Sequence, residues 1–263
     1  MRTTKPTKPT KVTKATKAKK SKTLLKRLER AYGVREWRSF GKAVDLLVET
    51  ILSQNTNDAN SSAGYRRLRR RFRTWNRVAD APVCEVEECI RVSGLSRIKA
   101  PRIQRILQEI RSSRGKIDLE FLKSATPRQA YDYLTGFDGV GPKTAQCVLL
   151  FAFGMPVFPV DTHIFRIARR LGLLPRRATA ANAHEVLTPL IAPEDRYAMH
   201  ILLIAHGRRT CRARGPLCEW CCLLDLCPHG RVAARKMPPG DQSPRRAMKR
   251  TTPPGPRGAR RGG

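Results

Sequence analysis

The stretch from Gly136 to Arg166 constrains the fold of this chain more than any other part of its sequence. It contains Gly-Val-Gly at 139–141, which predicts a tight hairpin. Pro142 follows, at a position where a helix can begin because the first helical residue does not need the N–H that proline lacks. The N–H groups in the first turn of such a helix have no partner inside the helix, and glycines allow a phosphate to approach them. The hairpin can therefore hold a phosphate backbone without reading a base sequence.

The segment after this helix can bring Asp161 back towards Lys143. From Lys143 to Ala152 the helix covers about 14 Å, at about 1.5 Å per residue. Two prolines and a glycine oppose helix between 153 and 161. At about 3.3 Å per residue that segment spans about 26 Å, which is enough to return to the start of the helix. An amine and a carboxylate can thus face a common cleft.

Net charge restricts the partners of the chain. The formal charge is +32; residues 1–22 and 231–263 carry +9 each, so residues 23–230 carry the remaining +14. Such a basic folded part favours nucleic acid as the partner over a purely solubilising role of the charge. The longest apolar run, 147–160, is interrupted and is shorter than the ~18 residues of a membrane span, so we expect no membrane association.

Four of the eight cysteines form a compact motif, C-x6-C-x2-C-x5-C. Four thiolates this close can surround a zinc ion or an iron–sulfur cluster, and the spacing alone does not choose between them. Cys222 lies beside the motif and is interpreted as a spare thiol, and a role as an alternative ligand stays open. Reduced cysteines without an apolar leader segment favour an intracellular, reducing location. The four motif positions are Cys211, Cys218, Cys221 and Cys227.

These motifs together resemble those of the endonuclease III family of helix-hairpin-helix DNA glycosylases. The family joins a Gly-Val-Gly hairpin, a lysine two residues later and a Val-Asp-Thr-His-Ile-Phe-Arg segment; here they are 139–141, Lys143 and 160–166. The cysteine spacing after His-Gly-Arg at 206–208 is similar to the [4Fe–4S] loop of that family. The resemblance covers roughly residues 23–230, and it favours the cluster over zinc.

The resemblance implies an all-α fold of two helical domains with an iron–sulfur cluster loop and disordered basic tails. No β-alternation of useful length opposes this interpretation. The expected hairpin domain is 40–155, and the expected cluster domain combines 23–39 with 156–230. Lys143 and Asp161 would then come from opposite sides of the cleft. Residues 1–22, which are rich in Lys, Thr and Pro, and 231–263 are expected to be disordered.

The resemblance also implies a mechanism. The enzyme would extrude a damaged base, and Lys143 would attack the sugar as a Schiff-base nucleophile while Asp161 stabilises the developing positive charge. The implied substrates are oxidised pyrimidines, and β-elimination would then cleave the abasic site. We therefore expect a monomeric base-excision repair enzyme, cytoplasmic and associated with the nucleoid. Its partner would be double-stranded DNA with damaged bases or abasic sites.

An amide-rich run, Leu-Ser-Gln-Asn-Thr-Asn-Asp at 52–58, aligns with Leu-Ser-Ala-Gln-Ala-Thr-Asp of the family. The family glutamine fills the gap left by the extruded base. Without gaps it falls on Asn55, with Gln54 beside it, and which amide acts stays open. The full set of expected DNA contacts is Gln54, Asn55, Gly139, Val140, Gly141, Thr144, Arg212 and Arg214.

Other interpretations of the same residues remain. Lys143 can be an ordinary surface lysine, and Asp161 can simply cap the helix that starts at Thr162. A mismatch-specific adenine glycosylase shares the fold and cluster but typically lacks a lysine at position 143. A non-catalytic helix-hairpin-helix DNA-binding protein explains the charge and the hairpin, and a zinc-stabilised chromatin-like protein explains the tails and cysteines. Neither explains the lysine, the aspartate and the cysteines together.

Overall fold

The regular elements of the chain are helices. The computed structural model describes residues 14–235, and this range contains α-helices and short 3₁₀ turns but no strand. The disorder predicted for the two basic ends falls largely on residues 1–13 and 236–263, which lie outside the described residues. The α-helices are α1 (Lys14–Tyr32), α2 (Ala43–Ser53), α3 (Asp58–Arg71), α4 (Trp75–Asp80), α5 (Val83–Ile90), α6 (Ser96–Arg114), α7 (Pro127–Thr135), α8 (Pro142–Phe153), α9 (Thr162–Arg170), α10 (Ala183–Leu187), α11 (Arg196–Arg209) and α12 (Pro228–Arg235).

The described chain forms two units, and one of them is discontinuous in sequence. The first, which we call the hairpin unit, runs from Glu36 to Asp161. The second, the cysteine unit, combines the chain up to Arg35 with the chain from Thr162 onward. The divisions differ from the predicted boundaries at 39/40 and 155/156. Asp161 consequently belongs to the same unit as Lys143, not to the other domain as expected from the sequence.

Helix α2 is the centre of the hairpin unit. Its residues Leu47, Ile51 and Leu52 have no exposed surface, and α2 packs against α3, α6 and α8. Burying each of these side chains stabilises the fold by about 1.5–3 kcal/mol. Because α2 packs against α8 and Gln54 at its C-terminal end donates to the Gly139 carbonyl, that end is fixed relative to the hairpin that precedes α8.

In the cysteine unit, α11 packs against both α1 and α9. Helix α1 begins at Lys14, nine residues before the predicted start at Thr23, so residues 14–22 are not part of a disordered arm. The physical reason lies in side-chain contacts: Lys17 and Lys20 donate to the carbonyls of Leu173 and Leu171, and Ser21 is buried. Hydrogen bonds to distant backbone carbonyls thus order this lysine-rich segment. Its composition alone does not reveal these contacts.

Two other boundaries differ from the sequence interpretation. Proline at 101 predicts a helix start at that residue, but α6 begins at Ser96 and Pro101 lies inside it. Helix α12 extends to Arg235, into the segment assigned to the C-terminal tail. By contrast, the sequence predicts a helix from Pro127 to Leu134, and α7 begins at Pro127. No helix among residues 14–235 is both long enough and apolar enough to cross a bilayer.

Candidate functional site

The hairpin, residues 136–141, is fixed on both sides by its own elements. Helix α7 starts with a capping box between Thr126 and Gln129, and α8 packs against α7. Within the turn, the Val140 N–H donates to the Phe137 carbonyl at 3.1 Å. Both side chains are buried, with exposed fractions of 3% and 8%. The apolar side chains therefore point into the core, and the hairpin presents its backbone.

Gly139 is required at the turn for two reasons. Its φ is +75°, a conformation that costs little only for glycine. A Cβ at this position would also meet the Nε of Arg102 at 2.1 Å. The Arg102 side chain lies against the turn because its guanidinium pairs with the Asp138 carboxylate at 3.4 Å.

The first turn of α8 is open at its N-terminal end. Gly141 is the N-cap, and no side chain caps the helix. Lys143 is exposed one residue after Pro142. Thr144, a sequence-predicted DNA contact, is instead buried with an exposed fraction of 4%, so only its backbone is available there. The same holds for Val140.

The charges of Lys143 and Asp161 both influence the pKa of one buried thiol, that of Cys147. Cys147 lies one turn after Lys143 on α8 and is buried. Burial raises the pKa of Cys147 to about 11; the ammonium of Lys143 opposes this rise and the carboxylate of Asp161 adds to it. Both charges therefore lie within electrostatic range of the second turn of α8. After Gly154 the Met155 N–H still donates to the Leu149 carbonyl of α8, and the half-buried Asp161 is near enough to influence Cys147.

The amide-rich run after α2 holds its two amides differently. The Gln54 Nε2 donates to the Gly139 carbonyl at 3.1 Å and to the Thr144 Oγ1 at 3.2 Å. Asn55 has φ +54° and is exposed. Asn57 is the N-cap of α3 and accepts from the Asn60 N–H at 2.9 Å. Of the two candidate amides, Gln54 is bound to the hairpin and Asn55 is the solvent-exposed one.

In the cysteine unit, the four motif cysteines line one partly open cavity. Cys211, Cys218, Cys221 and Cys227 all contribute to its wall, whereas Cys222 is not among the lining residues. The described residues contain no group of three or more His, Cys, Asp or Glu side chains placed to hold a single metal ion. The four thiols thus line a cavity and do not converge on the position of a single metal ion.

Donors converge on the sulfurs of this cavity. The Leu223 N–H donates to the Cys221 Sγ at 3.4 Å, and the Gly230 N–H donates to the Cys227 Sγ at 3.3 Å. The guanidinium of Arg170 donates to the Cys211 Sγ at 3.2 Å. Such donors stabilise thiolates, which are the form of cysteine that binds metal. The donor set therefore fits an iron–sulfur cluster.

Two arginines of α9 hold the cysteine loop, which we define as residues 211–227. Arg166 donates to the Cys211 carbonyl at 2.9 Å, and Arg170 donates to the Arg212 carbonyl at 2.7 Å. Arg212 and Arg214, two of the sequence-predicted DNA contacts, are exposed on this loop. They belong to the cysteine unit, whereas the other predicted contacts belong to the hairpin unit.

Sequence reasoning missed two residues that organise the hairpin unit, Cys147 and Lys99. Lys99 is buried with an exposed fraction of 2%, and its ammonium binds the carbonyls of Leu52 and Gln54 in the amide-rich run and that of Ser93 before α6. A signal was present in the sequence: Lys99 precedes Ile103 and Ile106 by four and seven residues, so it lies on the apolar face of α6. Cys147 carried no comparable signal, because one cysteine in an apolar helix is usually a packing residue.

The sequence matches a family model over more than half of its length. Residues 48–193 match the HhH-GPD superfamily base excision DNA repair protein family. The matched range includes the amide-rich run, the hairpin, Lys143 and Asp161.

Characterised relatives point to the same family. An Arabidopsis thaliana protein named as a candidate DNA glycosylase is 38% identical over 165 residues, which are 63% of this chain and 56% of that protein. The chain thus matches little more than half of the length of that relative. Endonuclease III of Sulfolobus acidocaldarius is 35% identical over 183 residues, 69% of this chain and 79% of that enzyme.

Two solved structures of endonuclease III with DNA share the fold. One is a non-covalent complex with a TM-score of 0.72, and the other is a trapped covalent intermediate with a TM-score of 0.70. Both are 29% identical to this chain, and each match covers 83% of this chain and 99% of the other. The chain therefore belongs to the HhH-GPD superfamily of base excision DNA repair proteins, and within it to the DNA glycosylases and AP lyases of the endonuclease III type.

Proposed function

We propose that this protein removes oxidised pyrimidines from double-stranded DNA and cleaves the resulting abasic site through a lysine Schiff base. One observation carries the proposal: Lys143 is exposed in the first turn of α8, whose N-terminal end no side chain caps, and the charge of Asp161 reaches Cys147 one turn further along the same helix. An exposed amine at the uncapped start of a helix, with a carboxylate that influences the next turn of that helix, suits this chemistry. That an endonuclease III has been trapped covalently on DNA gives further support.

The proposed steps use only side chains of the hairpin unit. The uncapped N–H groups of α8 and the backbone of the hairpin bind phosphates beside an extruded nucleotide. The carboxylate of Asp161 stabilises the positive charge that develops on the sugar as the base departs, and it takes the proton that the Lys143 nitrogen loses on bonding to C1′. The free amine of Lys143 attacks C1′, the bond from C1′ to the base breaks, and the base leaves with a proton from solvent. The bond from C1′ to the ring oxygen O4′ then opens, O4′ takes the proton from Asp161, and the resulting protonated imine acidifies the 2′ proton. Loss of that proton expels the 3′ phosphate by β-elimination.

We further propose that Cys211, Cys218, Cys221 and Cys227 hold a [4Fe–4S] cluster. The cluster would cross-link a loop that has little regular structure of its own, and it would fix Arg212 and Arg214 as phosphate contacts. The reaction steps do not involve it. Activity on chromosomal DNA implies a location in the cytoplasm at the nucleoid, and the enzyme would act as a monomer.

Borohydride reduction in the presence of DNA that contains one abasic site tests the lyase assignment. The wild-type protein should become covalently linked to the DNA, because the reagent reduces the imine to a stable amine. Lys143→Ala should abolish the cross-link. Asp161→Asn should slow it by about 10²-fold or more, within the usual range for loss of a proton-transfer group.

Lys123→Ala is a suitable control, because Lys123 is another exposed lysine of the hairpin unit. It should cross-link at the wild-type rate. Cross-linking by Lys143→Ala equal to that of the wild type would contradict the mechanism. On a panel of lesion duplexes the proposal requires oxidised pyrimidines to be excised first; preferential removal of adenine from mismatches would instead support the adenine glycosylase alternative.

A further inference from the structure

Lys99 is a buried cation whose donors are all used. Its Nζ donates to the carbonyls of Leu52, Gln54 and Ser93, at 2.8, 2.7 and 2.9 Å. An ammonium has three donors, so the group is saturated. Burial lowers the pKa of Lys99, which is the sign of a desolvation cost. A cation retained at such a cost holds together the two backbone segments that it binds.

Both segments contain a strained residue. Asn55 and Leu95, with φ of +54° and +52°, are the non-glycine residues with left-handed backbone within residues 14–235. Asn55 directly follows one of the carbonyls that Lys99 binds, and Leu95 follows another by two residues. Residues persist in this conformation only where their surroundings enforce it. The ammonium of Lys99 supplies that enforcement at the backbone.

The side chain of Gln54 extends the same network to the hairpin. Through one nitrogen it donates to the Gly139 carbonyl and to the Thr144 Oγ1. Gln54 is therefore held by its carbonyl to Lys99 and by its amide to the hairpin and to α8. The neighbouring Asn55 is left exposed, in a fixed conformation, beside the backbone that would grip phosphates. In the family segment Leu-Ser-Ala-Gln-Ala-Thr-Asp the residue aligned with Gln54 is alanine, which cannot make this connection.

We propose that Gln54 is a positioning residue, a latch anchored by Lys99 that couples the hairpin to Asn55, the residue that aligns with the gap-filling glutamine of the family. The inference rests on the proposed function, because it assumes that the hairpin grips a duplex with one nucleotide extruded. Its new content is the assignment of separate tasks to the two amides. Gln54 does not enter the duplex, and it sets where Asn55 enters.

A duplex with an abasic site opposite 2-aminopurine tests the assignment. The fluorescence of 2-aminopurine at saturating protein reports whether a side chain disturbs the base opposite the gap. Asn55→Ala should remove most of the wild-type change in fluorescence, and Gln54→Ala should reduce it to the same level. Borohydride cross-linking to this duplex should fall about tenfold in both variants, since one or two hydrogen bonds correspond to about this factor.

Cross-linking to a single-stranded abasic oligonucleotide separates positioning from general damage to the fold. No opposite base exists there, so Gln54→Ala and Asn55→Ala should cross-link within about twofold of the wild type. The double variant should be no worse on the duplex than Asn55→Ala alone, because both residues act through one step. Gln54→Glu has the same shape but no side-chain donor and should behave like Gln54→Ala.

Gln108→Ala provides the matched control. Gln108 also donates an amide hydrogen to a backbone carbonyl of the hairpin unit, that of Ala79 at 2.7 Å. The Gln108→Ala variant should show the wild-type fluorescence change and the wild-type ratio of duplex to single-strand cross-linking. A Gln54→Ala variant with the full wild-type fluorescence change would overturn the latch, as would equal losses on duplex and single strand. Failure of the wild type to cross-link at all would instead refute the proposed function itself.

Discussion

At Gly139 two separate constraints disfavour any residue with a side chain. The left-handed backbone disfavours a side chain, and the guanidinium of Arg102 occupies the space that a Cβ would take. Gly141, two residues later, has φ of −82°, and a Cβ added there would meet no atom within 4 Å. The turn therefore needs glycine at position 139, whereas position 141 tolerates a side chain.

Gly139→Ala should lower the free energy of unfolding by about 2–4 kcal/mol, because backbone strain and a steric clash add. Gly141→Ala should change it by less than about 0.5 kcal/mol, since alanine adopts that backbone readily. Urea denaturation of the two variants and the wild type measures the difference. Equal stability of the two variants would show that the turn relaxes around the new methyl group.

The sequence predicted this turn but not the contacts that fix it. Gly-Val-Gly before a proline indicates a hairpin from local rules alone, whereas Arg102 lies 37 residues before Gly139 and its contact depends on packing. The role of Lys99 was hidden for a different reason. Lysine is almost always exposed, so a single lysine on an apolar helix face is outweighed by the usual behaviour of the residue type.

At the scale of elements, the cysteine loop depends on contacts outside its own sequence. Between Cys211 and Cys227 the chain has only two short 3₁₀ turns. The arginines of α9 bind its backbone at one end, and the four lining cysteines define a cavity from which Cys222 is absent. The position of each thiol therefore distinguishes the ligands of the proposed cluster from the spare cysteine.

Cys218→Ser should give a protein without the broad visible absorbance of an iron–sulfur cluster and with a lower thermal midpoint, because one of four ligands is lost. Cys222→Ser should keep both properties. Absorbance spectra, iron content and thermal scans of the purified variants check the expectation. A colourless Cys222→Ser protein would place that thiol among the ligands, and a colourless wild type with bound zinc would refute the cluster.

Helix positions were easier to predict than helix ends. The helical spacing of Val44, Leu47, Val48 and Ile51 predicts a helix over residues 42–52, and α2 lies at Ala43–Ser53, one residue later at each end. The predicted start of α6 was wrong because proline favours the first turn of a helix, and here a full turn precedes Pro101. The early start of α1 depends on carbonyls of residues 171 and 173, about 150 positions away, which no local pattern can report.

At the scale of the whole molecule, charge is distributed between the folded part and its ends. Residues 23–230 carry +14, and the two basic ends carry +9 each. All-α class and base-excision family were both evident in the sequence, because periodicity and motif spacing are local. The boundaries between the two units were predicted less accurately, because the predicted and observed boundaries differ by four to six residues.

Deletion of residues 1–13 removes Arg2, Lys5, Lys8 and Lys11 and leaves every described helix intact. If these charges contact phosphates, the slope of log affinity against log salt for duplex binding should become shallower by up to about 3–4. Replacing the same four residues with glutamine in the full chain should have the same effect without shortening it. An unchanged slope in both variants would exclude the arm from the DNA interface.

Because the cysteine unit joins the beginning of the chain to its end, the order of synthesis has a consequence for folding. A ribosome synthesises residues 36–161 before it adds helices α9 to α12, so the hairpin unit can acquire its core while translation is still in progress. Helix α1, although made first, emerges with the apolar faces of Leu24 and Leu28 uncovered until α11 appears. In a growing polypeptide, the lysines that fill the first turns of α1 then also keep an unpartnered amphipathic helix soluble.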